Sequence, residues 1–174
     1  MHMSGHHKKG IVDAKRAKIF TRMSKLISVA VKEANGDTTH PSVLAAVEKA
    51  KKYDVPKENI ERAIKKGSDK DSAVMEVMTY EGYGPGGVGL IIEAVTDNKN
   101  RTAQEVKHAF SKLDFAMGVP GSVSWGFTKD QEGEWTPNAG TEIELSEQHE
   151  EKLKELIAAL EELDDVTNVH TNAL

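Results

Sequence analysis

Apolar positions in residues 12–34, VDAKRAKIFTRMSKLISVAVKEA, recur every three or four places: Ile19, Phe20, Met23, Ile27, Ala30 and Ala34. That spacing predicts a helix with one packed stripe. The stretch NGDTTHP (35–41) breaks the period with Asn-Gly and a proline. SVLAAVEKAKKY (42–53) resumes it, with Val43, Ala46, Val47 and Ala50 inward. Val55-Pro56 ends that helix and starts a third, KENIERAIKKG, which buries Ile60, Ala63 and Ile64. Gly67 is expected to stop it as a left-handed cap. The polar stretch GSDKDSA (67–73) then reads as a linker.

Beyond residue 73 the period shortens. Residues 74–80 and 88–96 read as strands, the second largely buried. TAQEVKHAFSKL (102–113) is helical, opened by Thr102 and Glu105 at capping-box spacing, with Val106, Ala109, Phe110 and Leu113 inward. GSVSWGF (121–127) alternates, which places Val123, Trp125 and Phe127 on one face, and TEIEL (141–145) presents Ile143 and Leu145. Ser146 caps a long helix, EQHEEKLKELIAALEEL, with acids in its first turn and a core face of Leu153, Leu156, Ile157, Leu160 and Leu163. Residues 166–170 form a closing strand. From Val88 the order is β-α-β-β-α-β, a ferredoxin-like arrangement with two helices on one antiparallel sheet, which strand 74–80 extends as a hairpin. The expected class is α+β: a three-helix domain over 1–70, then a ferredoxin-like domain over 74–174.

Composition narrows the function. The chain has 174 residues, 38% of them hydrophobic and 29% charged, the balance of a soluble globular protein. Aromatics are 5%, too few for a surface carpeted with base-stacking rings. There is no cysteine, which excludes thiolate nucleophiles, Cys-based zinc sites and disulfides and fits a reducing, cytoplasmic setting. No apolar run reaches the roughly 20 residues of a membrane span, and no signal-peptide core is visible.

The net charge of -5 conceals an asymmetry. Residues 1–70 hold 16 Lys+Arg and 8 Asp+Glu, a net of +8; the remaining 7 and 20 give residues 71–174 a net of -13. The basic half is a candidate for a polyanionic partner; simple attraction between the two halves is the alternative. On the first helix Lys15, Lys18, Arg22 and Lys25, with neighbouring Arg16, follow the helical period. Their face lies about 100–130° from the apolar stripe. His6, His7, Lys8, Lys9 and Gly10 read as a flexible basic arm, and Lys65 and Lys66 close the third helix, where they also suit its dipole.

YEGYGPGGVGLIIEAVTDNKNRT (80–102) contains G-x-G-x-x-G at Gly82, Gly84 and Gly87. A dinucleotide fingerprint needs a helix after its glycines, and a strand follows here, so the stretch reads as a tight turn. DNKNR (97–101) sets Lys99 and Arg101 at a strand end just before a helix, where they can meet a phosphate backbone or form a capped, solvated loop. No paired acid and base, no nucleophile with its base and no H-E-x-x-H spacing is present; His108 and His149 are lone helical histidines. The residues therefore predict no catalytic site, cofactor, metal or small-molecule substrate.

SGH (4–6), DAKRAKIFTR (13–22), VPKENIERAIKKG (55–67), the glycine stretch through residue 112, GSVSWGF (121–127) and LEELDDVTNVHTN (160–172) resemble the YebC/PmpR family, which includes mitochondrial translational activators of cytochrome oxidase. The resemblance implies a helical N-terminal domain, α+β domains, no cofactor and a cytoplasmic or organellar setting. It also implies a regulator of gene expression that binds DNA as a transcriptional regulator or acts on translation at the ribosome through rRNA. Two features differ from the family pattern. The arm after SGH is short and lacks the usual Ser-Lys-Trp. KDQEGEWTPNAG (129–140) stands where typical members insert a third domain, so the chain resembles a short form. The expected nucleic-acid contacts are Lys8, Lys9, Lys15, Arg16, Lys18, Arg22, Lys25, Lys65, Lys66, Lys99 and Arg101. The competing reading is a protein-interaction module built on the acidic domain, with no direct contact to nucleic acid.

Overall fold

The structure is a computed structural model that describes residues 5–131 and 133–174, with side chains from Arg16 onward. It divides into two compact units, Met1–Val74 and Met75–Leu174.

The first unit contains α1 (Gly5–Glu33), α2 (Pro41–Lys52) and α3 (Lys57–Ser68). Met23, Ile27, Ala30 and Val31 from α1 pack with Val43 and Ala50 from α2 and with Ile60 and Ala63 from α3. Apart from Val31, these residues belong to the predicted stripes, and their removal from water holds the unit together. Two expectations change. Residues 6–10, read as a flexible arm, belong to α1, which runs 29 residues because nothing in that stretch breaks a helix until Asn35 and Gly36 turn left-handed. Gly67 is not a left-handed cap but lies inside α3. A Cβ there would meet the Ser28 carbonyl oxygen at 2.5 Å and Val31 Cβ at 2.8 Å, so its bareness lets α3 lie against α1. The Ser28 hydroxyl donates to the Ala63 carbonyl at 2.8 Å across the same contact.

The second unit is α+β, with two helices on one face of an antiparallel sheet. Strands β1 (Glu76–Tyr83), β2 (Gly89–Thr96), β3 (Ala116–Gly118) and β6 (Val166–Thr171) form it in the order β3-β1-β2-β6. Leu90, Ile92 and Ala94 on β2 face a core completed by Val106, Ala109 and Phe110 of α4 (Lys99–Lys112) and Leu153, Leu156 and Leu160 of α5 (Glu147–Glu161). On the opposite face Ile91 packs with Val123, Phe127 and Trp135. Those residues come from the segment that holds the small hairpin β4 (Phe127–Lys129) and β5 (Trp135–Pro137).

Sheet membership departs from the alternation argument at three places. β1 is central, flanked by β2 and β3, rather than an added edge. Residues 121–127 do not form a strand: a 3-10 turn at Ser124–Gly126 interrupts them. Residues 141–145 contribute a single bridge, Ile143 to Ala173, while Ile143 and Leu145 still cover the core. Short apolar alternation tells which side chains are inward; it does not tell whether backbone partners lie beside them.

The glycine stretch is the β1–β2 connection. Pro85–Gly87 make a 3-10 turn in which Gly86 has φ 66° and ψ 12°, a left-handed conformation that side-chain-bearing residues rarely adopt. The turn carries no helix N-terminus toward a ligand, so the tight-turn reading applies.

Candidate nucleic-acid interface and sheet-loop sites

On α1, Arg16 is exposed and Lys18, Arg22 and Lys25 are half-buried along successive turns. Lys8, Lys9 and Lys15 have side chains outside the described residues. Ser28 follows Lys25 by three residues, about 4.5 Å along the axis. The Ser28 contacts with Ala63 and Gly67 therefore bring the last turn of α3, with exposed Lys65 and Lys66, beside the turn of α1 that ends the cation row. Lys51, Lys52 and Lys57 are also exposed, although Lys51 pairs with Glu48 at 3.6 Å and Lys57 with Glu61 at 3.9 Å. Lys32, by contrast, serves the end of its own unit: its ammonium donates to the Ser72 carbonyl at 2.6 Å and hydroxyl at 2.8 Å.

The loop before α4 is built differently from its sequence reading. The cap is Asn98, whose side chain accepts from the Arg101 amide at 3.1 Å, four residues ahead of the expected Thr102. Thr102 is buried inside the first turn, where its hydroxyl donates to Asp165 Oδ2 at 2.8 Å. Arg101 reaches Asp97 and Asp165, both at 3.0 Å. Asp165 is buried, and its carbonyl accepts from the Val95 amide at 2.8 Å, so one residue ties α4, β2 and the approach to β6 together. Lys99 is exposed at the helix start. Tyr80 is buried with its hydroxyl 3.5 Å from the Lys99 carbonyl; burial, then the Asp165 charge, holds its pKa above the ordinary tyrosine value. Sequence reasoning missed Asp165 because it lies 64 residues from Arg101 and only the fold joins them.

Glu81 is the second residue that pattern did not single out. Although buried, its carboxylate accepts from the amides of Gly121 at 2.7 Å, Val123 at 2.9 Å and Ser124 at 2.6 Å. Burial pushes its pKa up, but those three amides and the Ser124 hydroxyl more than reverse this and hold it below the ordinary glutamate value. The loop so anchored turns Trp125 outward to 72% exposure, whereas strand alternation predicts it inward with Val123 and Phe127. The indole N–H donates to the Ser122 carbonyl at 2.9 Å, and the hydroxyl of Tyr83 donates to the same oxygen.

Among the described residues no three His, Asp or Glu side chains come together as a metal site, and no helix is long and apolar enough to cross a membrane.

Fold and charge together define a two-unit α+β protein with a cation-rich helical unit and an acidic sheet unit. The family comparison is specific. The TACO1/YebC N-terminal domain matches residues 4–70, and the TACO1/YebC second and third domain matches residues 75–132 and 128–173, the two pieces meeting in the β4–β5 hairpin. The chain belongs to the TACO1/YebC family. It is 51% identical over 136 residues to a "Probable transcriptional regulatory protein" of Trichlorobacter lovleyi, and 52% identical over 136 residues to one of Geobacter sulfurreducens. Each alignment covers 73% of this chain and 55% of the relative, so the chain spans about half the length of these curated relatives. A crystal structure of a conserved hypothetical protein from Aquifex aeolicus superposes with a TM-score of 0.78 at 31% identity, covering 94% of this chain and 92% of that one.

Proposed function

We propose that this protein is a nucleic-acid-binding regulator of gene expression, not an enzyme, and that its helical unit contacts the phosphate backbone of RNA at the ribosome. The observation that carries the reading is the net +8 of residues 1–70, set against -13 for the rest of the chain. An interface of this kind is driven by counterion release and is indifferent to sequence in its phosphate contacts. Arg16, Lys18, Arg22 and Lys25 with Lys65 and Lys66 are its proposed core. Lys8, Lys9 and Lys15 extend it along α1, and Lys99 is an outlying contact. Arg101 contributes by holding the α4 start rather than by offering a charge, because two carboxylates already surround its guanidinium. The name shared by the bacterial relatives supports a regulatory role and leaves the nucleic acid open. In this reading the segment 129–140 stands where longer relatives carry a further domain, which leaves the basic unit as the main contact surface.

Cosedimentation tests the target. The full chain is expected to travel with ribosomes in a sucrose gradient and to leave them at high salt, with no comparable retention on duplex promoter DNA. Retention on duplex DNA with none on ribosomes would reverse the assignment to transcription.

A further inference from the structure

The exposed rings of Tyr83 and Trp125 are an unassigned feature of the sheet unit. Trp125 is 72% and Tyr83 44% exposed, and Val119 on the loop beside them is 74% exposed. Leaving these apolar surfaces in water is unfavourable, so their retention in a fixed arrangement asks for an occupant. The arrangement is rigid. Both polar handles, the indole N–H and the phenol hydroxyl, go to the same Ser122 carbonyl, and Asn138 Nδ2 donates to the Trp125 carbonyl at 3.4 Å. The carboxylate of Glu81 clamps the loop beneath through the amides of Gly121, Val123 and Ser124.

With their donors used internally, the rings offer a partner their π-faces. Two common ligand groups fit a π-face: a nucleobase and a guanidinium. Charge decides between them. Residues 71–174 carry 20 Asp+Glu against 7 Lys+Arg. A field of that sign favours a cation over a polynucleotide, which brings a phosphate with every base. We propose that Tyr83 and Trp125 form a docking site for an arginine-rich extended segment of a partner protein, with guanidinium groups stacked on the indole and phenol. The site lies wholly in the sheet unit and stands independently of the role of the basic helices. A protein with both would hold nucleic acid through one unit and a cationic protein segment through the other.

The test uses the full chain with a fluorescein-labelled peptide of alternating Arg and Gly, the same peptide with Lys in place of Arg, and oligouridylate. W125A is expected to weaken the arginine peptide about five- to tenfold, a loss on the scale of one cation–π contact. The lysine peptide, with equal charge but no planar guanidinium, is expected to bind several-fold more weakly to the wild type and to be less sensitive to W125A. Y83F, which removes only the hydroxyl anchor, is expected to give an intermediate loss with an unchanged melting temperature. Equal binding of the arginine peptide by wild type and W125A would overturn the proposal. So would oligouridylate binding that W125A abolishes, which would make the rings a nucleobase platform instead.

Discussion

Single residues carry more of this fold than their sequence neighbours suggest. Glu81 belongs to the glycine stretch that the sequence reads as a tight turn, yet it sits buried on a strand among three amides. Its folded pKa is depressed, so its stabilisation is fully present above the ordinary glutamate value of about 4.3 and is lost as pH falls through the lower folded value. Glu81→Gln puts an amide group among amide donors and is expected to destabilise the protein by about 1–3 kcal/mol at neutral pH. In urea melts the gap between wild type and E81Q should shrink on acidification below about pH 4.3; a constant gap would mean the carboxylate charge is not what anchors the loop. Gly82 makes a complementary point. A Cβ there would lie 2.6 Å from Phe110 Cζ, so Gly82→Ala is expected to lower stability by about 1–3 kcal/mol through overpacking. The dense glycines of this stretch thus reflect close packing and one left-handed turn, which the sequence signalled without saying which glycine did which. Trp125 was misread for a related reason: a 3-10 turn changes the side-chain direction that period-two alternation assumes.

Elements defined by long apolar stripes were readable, since a stripe of a helix constrains a dozen residues at once. The core faces of α1, α3, α4 and α5 follow the predicted positions, and Ser146 caps α5 as expected, accepting from the His149 amide at 3.3 Å. Three-residue strands are different. β3, over Ala116–Gly118, exists because β1 offers it an edge, and nothing in its three residues marks it. The start of α4 shows the same dependence on distant chain. Asp165 holds Thr102, Thr96 and Arg101, so Asp165→Ala is expected to destabilise by about 2–4 kcal/mol, because it removes the buried acceptor that all three share. Arg101 is 45% exposed, and Arg101→Ala is expected to reduce stability much less than Asp165→Ala. Thermal melts of the two variants check the order. If R101A weakens RNA binding tenfold with its melting temperature unchanged, Arg101 is a phosphate contact instead of a positioning residue.

At the scale of the molecule the separation of charge is the dominant feature and was fully legible by counting. What counting does not reveal is how the cations are presented. The α1–α3 packing at Ser28, Ala63 and Gly67 sets Lys65 and Lys66 near the end of the α1 row, an association that neither helix discloses alone. The proposed interface requires these cations to meet phosphates, and the salt dependence of RNA affinity tests this. For wild type and for R16E/K65E/K66E, affinity for a single-stranded ribosomal RNA fragment is measured by fluorescence anisotropy from about 50 to 200 mM salt. Wild-type affinity is expected to fall linearly on a log–log plot. The triple variant should bind more weakly at every salt concentration, with a slope shallower by about 2, corresponding to three lost phosphate contacts. Identical affinities and identical slopes for the two proteins would contradict the basic-unit interface.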